Sequence, residues 1–179
     1  MKPVSGKSDP SEAVKNSLSR LQDERIAHLV RLCARGFSRS LSRRLSGYDI
    51  SFGQWVFLRI LWQEEGLAQR QLSERANLTE PTVHTALTKM EQKGLIHRRH
   101  KKGDRRTQYV YLSERGRELR LVLEPLAVDV NDIALAGLDK TQQEILHRIL
   151  IHSLSNLEAD EAEAEARGQR IPPTRGFAV

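Results

Sequence analysis

The stretch from Leu67 to Leu112 constrains this chain most, because within it the spacing of apolar residues changes from helical to alternating and the charge becomes one-sided. Ala68, Leu72 and Ala76 stand four apart, on one face of a helix whose other positions are polar. Asn77 suits the left-handed residue that ends such a helix. Thr79 offers a side-chain oxygen as N-cap, and Pro81 fits a first turn where its missing N–H is no loss. A second helix follows and stops at Gly94. At 100° per residue Val83, Leu87 and Met90 fall together with Ala86 beside them, a face expected to pack inward. Pro81, Thr82, Thr85, Thr88, Lys89 and Gln92 project from the opposite face, with His84 on the shoulder.

Short donors and acceptors with one cation suit a helix lying in the major groove, where base edges carry distinct patterns of polar atoms. After Gly94 the period changes, and Ile96–His100 and Thr107–Leu112 read as two strands around a turn, Lys101-Lys102-Gly103-Asp104-Arg105-Arg106. Residues 97–106 hold six Lys or Arg against one Asp. A hairpin tip so charged repels itself unless a polyanion is near, and a phosphate backbone is the natural one.

Glu91-Gln92-Lys93-Gly94-Leu95-Ile96, then Gly103-Asp104-Arg105-Arg106, then Leu112-Ser113-Glu114-Arg115-Gly116, resemble in order and spacing the winged helix-turn-helix of the MarR family of bacterial transcription regulators. With the flanking helices the resemblance covers roughly residues 18–158. It implies that the second helix enters the major groove while an arginine of the Asp-Arg-Arg tip reaches the adjacent minor groove. It also implies that Asp104 orients an arginine through a charge-assisted hydrogen bond. Where many members carry Arg and, three residues later, Asp on the recognition helix, this chain has Thr85 and Thr88, so its operator is its own.

A chain of 179 residues suffices for one small domain plus a dimerisation region. No run approaches the ~20 apolar residues that cross a bilayer, and Met1–Lys7 lacks the apolar core of a signal peptide, so the expected location is cytoplasmic. The net charge of +6 understates the asymmetry: the wing is basic, whereas Glu158–Glu165 carries five acids in eight residues. An isolated basic run is usually a solvated face; here it accompanies a helical pair and a hairpin.

In chain order, residues 1–17 read as a polar arm. From Leu18 to Ser46 the pattern is helical, with Ile26, Leu29, Val30, Cys33, Phe37, Leu41 and Leu45 as its apolar stripe. Opposite them Arg31, Arg35, Arg39 and Arg43 form a cationic ridge, either a solvated face or an anchor for an anionic ligand or phosphates. Ser51-Phe52-Gly53-Gln54 reads as a capping box opening a helix that is apolar nearly all round to Trp62, Arg59 excepted. Trp55 and Trp62 with Arg59 between them would suit a planar aromatic carboxylate, although such aromatics are more often core. Ser113 caps a helix through about Ala136, with Pro125 inside it as a bend. A last helix opens at a second capping box, Asp139–Gln142, and carries Ile145, Leu146, Ile149, Leu150, Leu154 and Leu157 as a broad stripe.

The expected architecture is therefore mainly α with a small β-hairpin wing: a winged helix-turn-helix at 51–112, a helical dimerisation region at 18–50 and 113–158, and an acidic, polar tail at 159–179. Terminal helices with more apolar surface than a small winged domain can cover suggest a two-fold homodimer. Such a dimer places its recognition helices one turn of DNA apart (~34 Å), on a palindromic operator.

No phosphate-binding glycine loop or nucleophile elbow occurs, and the histidine pairs diverge, so neither an enzyme nor a metal or cofactor is expected. Cys33, the one cysteine, reads as a small core residue; one branch of the family senses peroxides through a first-helix cysteine, which leaves a thiol-based redox switch as an alternative. An RNA-binding or protein-interaction module is the alternative of another class.

The favoured reading is a dimeric repressor of double-stranded DNA. Thr82, His84, Thr85, Thr88 and Lys89 would approach bases, Lys101, Lys102, Arg105 and Arg106 would supply wing contacts, and Gln69 and Arg70 would hold phosphates. The resemblance of Ile50–Gly66 to regulators of aromatic-compound catabolism implies an aromatic acid or its coenzyme A thioester as the releasing effector, taken by Trp55, Arg59 and Trp62 with Arg39 and Arg43.

Overall fold

The computed structural model describes Ser19 and residues 21–172, without the side chain of Arg105. The expected arm at 1–17 and residues 173–179 of the expected tail lie outside the described residues. Helix α1 (Ile26–Leu45) leads through a 3-10 turn (Ser46–Tyr48) into α2 (Phe52–Gln63), followed by β1 (Leu67–Ala68), α3 (Gln69–Ala76) and α4 (Glu80–Gln92). The hairpin β2 (Ile96–Lys101) and β3 (Asp104–Leu112) is followed by α5 (Glu114–Glu118), α6 (Arg120–Ala134) and α7 (Lys140–Ala166).

Capping chemistry sets several of these starts. Ser51 Oγ accepts from Gln54 N at 3.3 Å while Gln54 Oε1 accepts from Ser51 N at 3.0 Å, and Asp139 and Gln142 repeat the reciprocal pair at 2.9 Å each. Ser113 Oγ accepts from Gly116 N at 3.0 Å. Thr79 departs from expectation. Its hydroxyl pairs with that of Thr82 at 2.9 Å and caps no backbone N–H, which leaves α4 to start on Pro81 and the acid of Glu80.

The core lies under α2, α3, α4 and the sheet, where Phe57, Leu58, Leu72, Val83, Leu87 and Met90 lose essentially all exposure. Helix α2 is buried on several sides as its composition demands, and Arg59 is exposed. The sheet has the order β1-β3-β2, all antiparallel, with Leu67 opposite Val110 and Ile96 opposite Leu112. Two residues are too few to show a period, so β1 is invisible in the sequence. The hairpin is also tighter than expected: Lys101 pairs with Asp104 across Lys102 and Gly103, and Gly103 takes φ +90°.

Other boundaries differ for local reasons. The helical pattern expected from Leu18 to Ser46 is interrupted: Ser19 is helical, but a turn at Leu21–Glu24 and an extended Arg25 (ψ 143°) precede α1 at Ile26. The helix after Ser113 is interrupted at Leu119, upstream of Pro125, which has no N–H for the Leu121 carbonyl. The expected tail is helical as far as Ala166, since alternating Ala and Glu are good helix formers, and Gly168 at φ +76° stops it.

A backbone junction joins the end of α4 and α2 to the start of α5. Ser113 N donates to Leu95 O at 3.0 Å, Ser113 Oγ to Gly94 O at 2.6 Å, Arg115 Nη1 to Lys93 O at 3.0 Å, and Trp62 Nε1 to Gly116 O at 2.8 Å. Beyond it, α7 has no buried residue, and Ile149, Leu154 and Leu157 are all more than half exposed. The first half of α1 is similarly uncovered, with Ile26 77% and Val30 46% exposed. Cys33 shares that half and is exposed, a correction to its expected core position, because only the later part of its stripe, Phe37, Leu41 and Leu45, reaches the core among the described residues.

Candidate nucleic-acid interface

Helix α4 is seated by residues the sequence did not single out. Ser73, buried in α3, donates its hydroxyl to Leu78 O at 2.5 Å and fixes the turn that Asn77 makes at φ +51°. At the far end Glu91 receives Arg98 three times: the backbone N–H at 3.1 Å, Nε at 3.0 Å and Nη2 at 2.5 Å. The Arg98 hydrogen bonds outweigh burial and hold the Glu91 carboxyl below the ordinary range. Burial pushes Glu65 up, but Arg117 and the Leu112 N–H outweigh it and its carboxyl is also lowered. These two carboxylates tie the hairpin to α4 on one side and to α5 on the other.

With Val83, Leu87 and Met90 buried, Pro81, Thr82, His84, Thr85, Lys89 and Gln92 are exposed together on α4. Thr85 Oγ1 donates to Pro81 O at 3.0 Å, so toward a groove it offers lone pairs and a methyl group. His84 Nδ1 lies 3.3 Å from Gln69 Oε1, which brings two expected contact residues from different helices together. Arg70 is exposed and paired with Glu74 at 3.1 Å. The start of α2 adds an unforeseen wall. Ser51, Gly53 and Gln54 form with Pro81, Thr82, Thr85, Ala86 and Lys89 an open cleft of about 520 Å³ along the helix.

Thr88 does not join this row. A helical wheel exposes it, yet its hydroxyl is buried and has no hydrogen-bond partner among the described residues. Thr88→Val keeps the shape and removes the unsatisfied group, so it is expected to stabilise the protein by about 1 kcal/mol. Urea midpoints would show the gain, with DNA affinity unchanged; a clear loss of affinity would return Thr88 to the reading face.

On the hairpin, His97, Arg99 and Lys101 share one face with Tyr109 and Tyr111. His97 stacks on Tyr111 at 5.7 Å, the Arg99 guanidinium lies 3.9 Å over Tyr111, and Lys101 Nζ lies 3.9 Å over Tyr109. Lys102 and Arg106 are exposed at the tip, where the side chain of Arg105 lies outside the described residues.

Asp104 is held within the hairpin turn. Its Oδ1 accepts from Arg106 N at 2.9 Å and Thr107 N at 3.0 Å, and its Oδ2 from Tyr109 OH at 3.1 Å, so its described partners are the turn backbone and a phenol. The Thr107 and Arg106 amides hold its carboxyl at about 2, and Tyr109 is correspondingly raised by Asp104. A folded value below the unfolded one stabilises above the ordinary aspartate range and ceases to as pH falls through about 2. Amide exchange at Arg106 and Thr107 is accordingly expected to stay protected from neutrality to about pH 4 and to lose that protection on further acidification. Unchanged protection at pH 2 would remove this role.

The effector residues are dispersed. Trp55 is core, 4% exposed, and meets Trp62 edge to face at 5.5 Å, which leaves no slot between the indoles. Arg39, Arg43 and Arg59 are exposed. Trp62 instead lines a cleft of about 350 Å³ with Leu61, Glu65, Leu112, Arg117 and Arg120.

Among the described residues no helix is long and apolar enough to cross a membrane, and no three His, Cys, Asp or Glu residues converge as metal ligands. Against known proteins, residues 50–107 match the sequence model of the MarR family. The HTH-type transcriptional regulator TtmR of Methylorubrum extorquens is 26% identical over 150 residues, 84% of this chain and 73% of that protein. A putative MarR family regulator from Listeria monocytogenes, complexed with 26mer DNA, shares the fold with a TM-score of 0.70 at 20% identity, over 83% of this chain and 99% of that one. The Mycobacterium tuberculosis MarR family protein Rv2887, solved with DNA and with salicylic acid, gives a TM-score of 0.61 in both cases. Identity is 25% and 27%, over 73% of this chain and 98% and 97% of those chains. The matched segment, folded as a winged helix-turn-helix, is a MarR-family domain at residues 50–107.

Proposed function

We propose that the protein is a homodimeric repressor that binds a palindromic operator through α4 and the β2–β3 hairpin and leaves it when a small anionic aromatic compound binds. The observation that carries the reading is the exposed row Thr82, His84, Thr85 and Lys89 on a helix whose other face is fully buried, beside a hairpin tip where Lys102 and Arg106 are exposed with no ion pair among the described residues. The uncovered faces of α1 and α7 support the dimer, since apolar surface of this extent is normally buried against a partner. The division into a DNA-binding domain at 51–112 and a dimerisation region at 18–50 and 113–158 follows from it. The relative solved with salicylic acid supports an aromatic acid as effector, and the cleft of Trp62, Arg117 and Arg120 is the candidate site.

Fluorescence anisotropy with the duplex upstream of the protein's own gene, competed by random duplex at two salt concentrations, tests the first half. Selective, salt-sensitive binding is expected; equal, weak binding to both duplexes would leave charge attraction alone and favour an interaction module. Added aromatic acids and coenzyme A thioesters should then release the duplex. For an effector to act it must bind the DNA-incompetent arrangement more tightly.

The exposure of Cys33 favours a second reading, release by oxidation of that thiol. Cys33→Ser would then abolish peroxide-triggered release and leave DNA binding intact.

A further inference from the structure

Two tyrosines of the hairpin each carry a cation that strand register alone does not give them. Register sets Tyr111 opposite His97 and Tyr109 opposite Arg99. The Arg99 guanidinium nevertheless lies 3.9 Å over the Tyr111 ring and Lys101 Nζ 3.9 Å over the Tyr109 ring, so both cations lean diagonally toward the neighbouring pair. Both are exposed, and neither forms an ion pair among the described residues.

Tyr109 is also tied to the turn. Its hydroxyl donates to Asp104 Oδ2 at 3.1 Å, and the Oδ1 of the same carboxylate accepts from Arg106 N and Thr107 N at 2.9 and 3.0 Å. One side chain therefore links the end of β2, through Lys101, to the backbone of the tip, through Asp104. The two contacts reinforce each other. A phenol that donates to a carboxylate gains electron density in its ring, and the attraction of a ring face for an ammonium grows with that density.

A lysine that swings freely loses side-chain freedom when a phosphate captures it, and that loss is subtracted from binding. Lys101 gives up part of it beforehand, on the ring. The ring covers one side of the ammonium and leaves N–H donors on the other for an acceptor. We propose that Tyr109 is a positioning residue for DNA binding: its ring holds Lys101 ready for a backbone phosphate, and its hydroxyl steadies the turn through Asp104. The inference rests on the proposed use of the hairpin against DNA and adds the residue that prepares it.

Salt titrations of fluorescence anisotropy, with the full chain on the upstream duplex and on a random duplex, test it. Lys101→Ala should weaken binding to both duplexes and, with two copies of the contact in the proposed dimer, flatten the slope of log affinity against log salt by up to about 1.8. Tyr109→Leu should flatten the slope in the same direction and lower affinity about fivefold. Where Lys101 is already alanine it should add less than about twofold, a dependence that a packing role would not show. Tyr109→Phe keeps the ring and should stay within about twofold of the parent. Circular dichroism confirms that each variant is folded. Should Tyr109→Leu loosen the hairpin, pentafluorophenylalanine in place of Tyr109 keeps the shape of phenylalanine with a ring face that repels cations, and it should reproduce the loss.

Parent-like affinity and slope in Tyr109→Leu overturn the positioning role, as does a loss undiminished in the Lys101→Ala background or equalled by Tyr109→Phe. A loss confined to the upstream duplex assigns Tyr109 to base reading and overturns it too. Parent-like affinity and slope in Lys101→Ala remove the phosphate contact itself, and the proposed use of this part of the hairpin falls with the proposal.

Discussion

Gly116→Ala is expected to destabilise the protein by about 3 kcal/mol or more, at or beyond the upper end of the range for overpacking a close contact. A Cβ at Gly116 would stand 2.1 Å from the carbonyl oxygen of Leu95, a backbone atom that cannot rotate away. That oxygen already accepts from Ser113 N at 3.0 Å, and Gly116 itself accepts from the Trp62 indole at 2.8 Å. Room for a methyl group must therefore come from moving α5 off the segment that leaves α4. Urea denaturation would show a lower midpoint, with DNA binding falling in parallel because the same junction positions the hairpin against α4. A midpoint within about 0.5 kcal/mol of the parent would mean the junction yields at little cost.

Replacing Lys101, Lys102, Arg105 and Arg106 together by alanine is expected to lower operator affinity roughly a thousandfold at moderate salt, with little loss of stability. If each cation neutralises a phosphate, a dimer loses eight such contacts, and the slope of log affinity against log salt becomes shallower by up to about 7. The hairpin should persist, since its turn is held by Asp104 on backbone amides and not by these side chains. Thr82→Ala with Thr85→Ala makes the contrast. These residues lie on the exposed row that the proposed function turns to the groove, so the loss should fall on discrimination between operator and random duplex, with the salt slope nearly unchanged. Equal salt slopes for the parent and the wing variant would show that the hairpin does not touch the backbone.

The two predictions draw on different levels of the molecule. The wing cations are a run of residues, visible as soon as the chain is read. Gly116 is unremarkable in sequence: it follows Arg115 inside a helix, its backbone is not among the left-handed positions, and only the approach of Leu95 makes it irreplaceable. Glu65 and Glu91 are similar cases, ordinary surface acids by composition that become clamps because Arg117 and Arg98 arrive from other elements.

By itself the sequence determined what depends on neighbours a few residues away. Period placed Val83, Leu87 and Met90 inward, the side chains of Ser51, Ser113 and Asp139 set helix starts, and Asn77, Gly94 and Gly103 took the left-handed backbone. Charge pattern marked the hairpin tip. The tertiary structure alone decided which exposed positions stay exposed. It covered the Thr88 hydroxyl, filled the gap between Trp55 and Trp62, uncovered Cys33, turned Asp104 onto the hairpin backbone and added β1 to the sheet. The physical reason is common to all five. A helical wheel or a two-residue window fixes direction relative to one element's axis, whereas burial and hydrogen bonding are set by atoms from other elements.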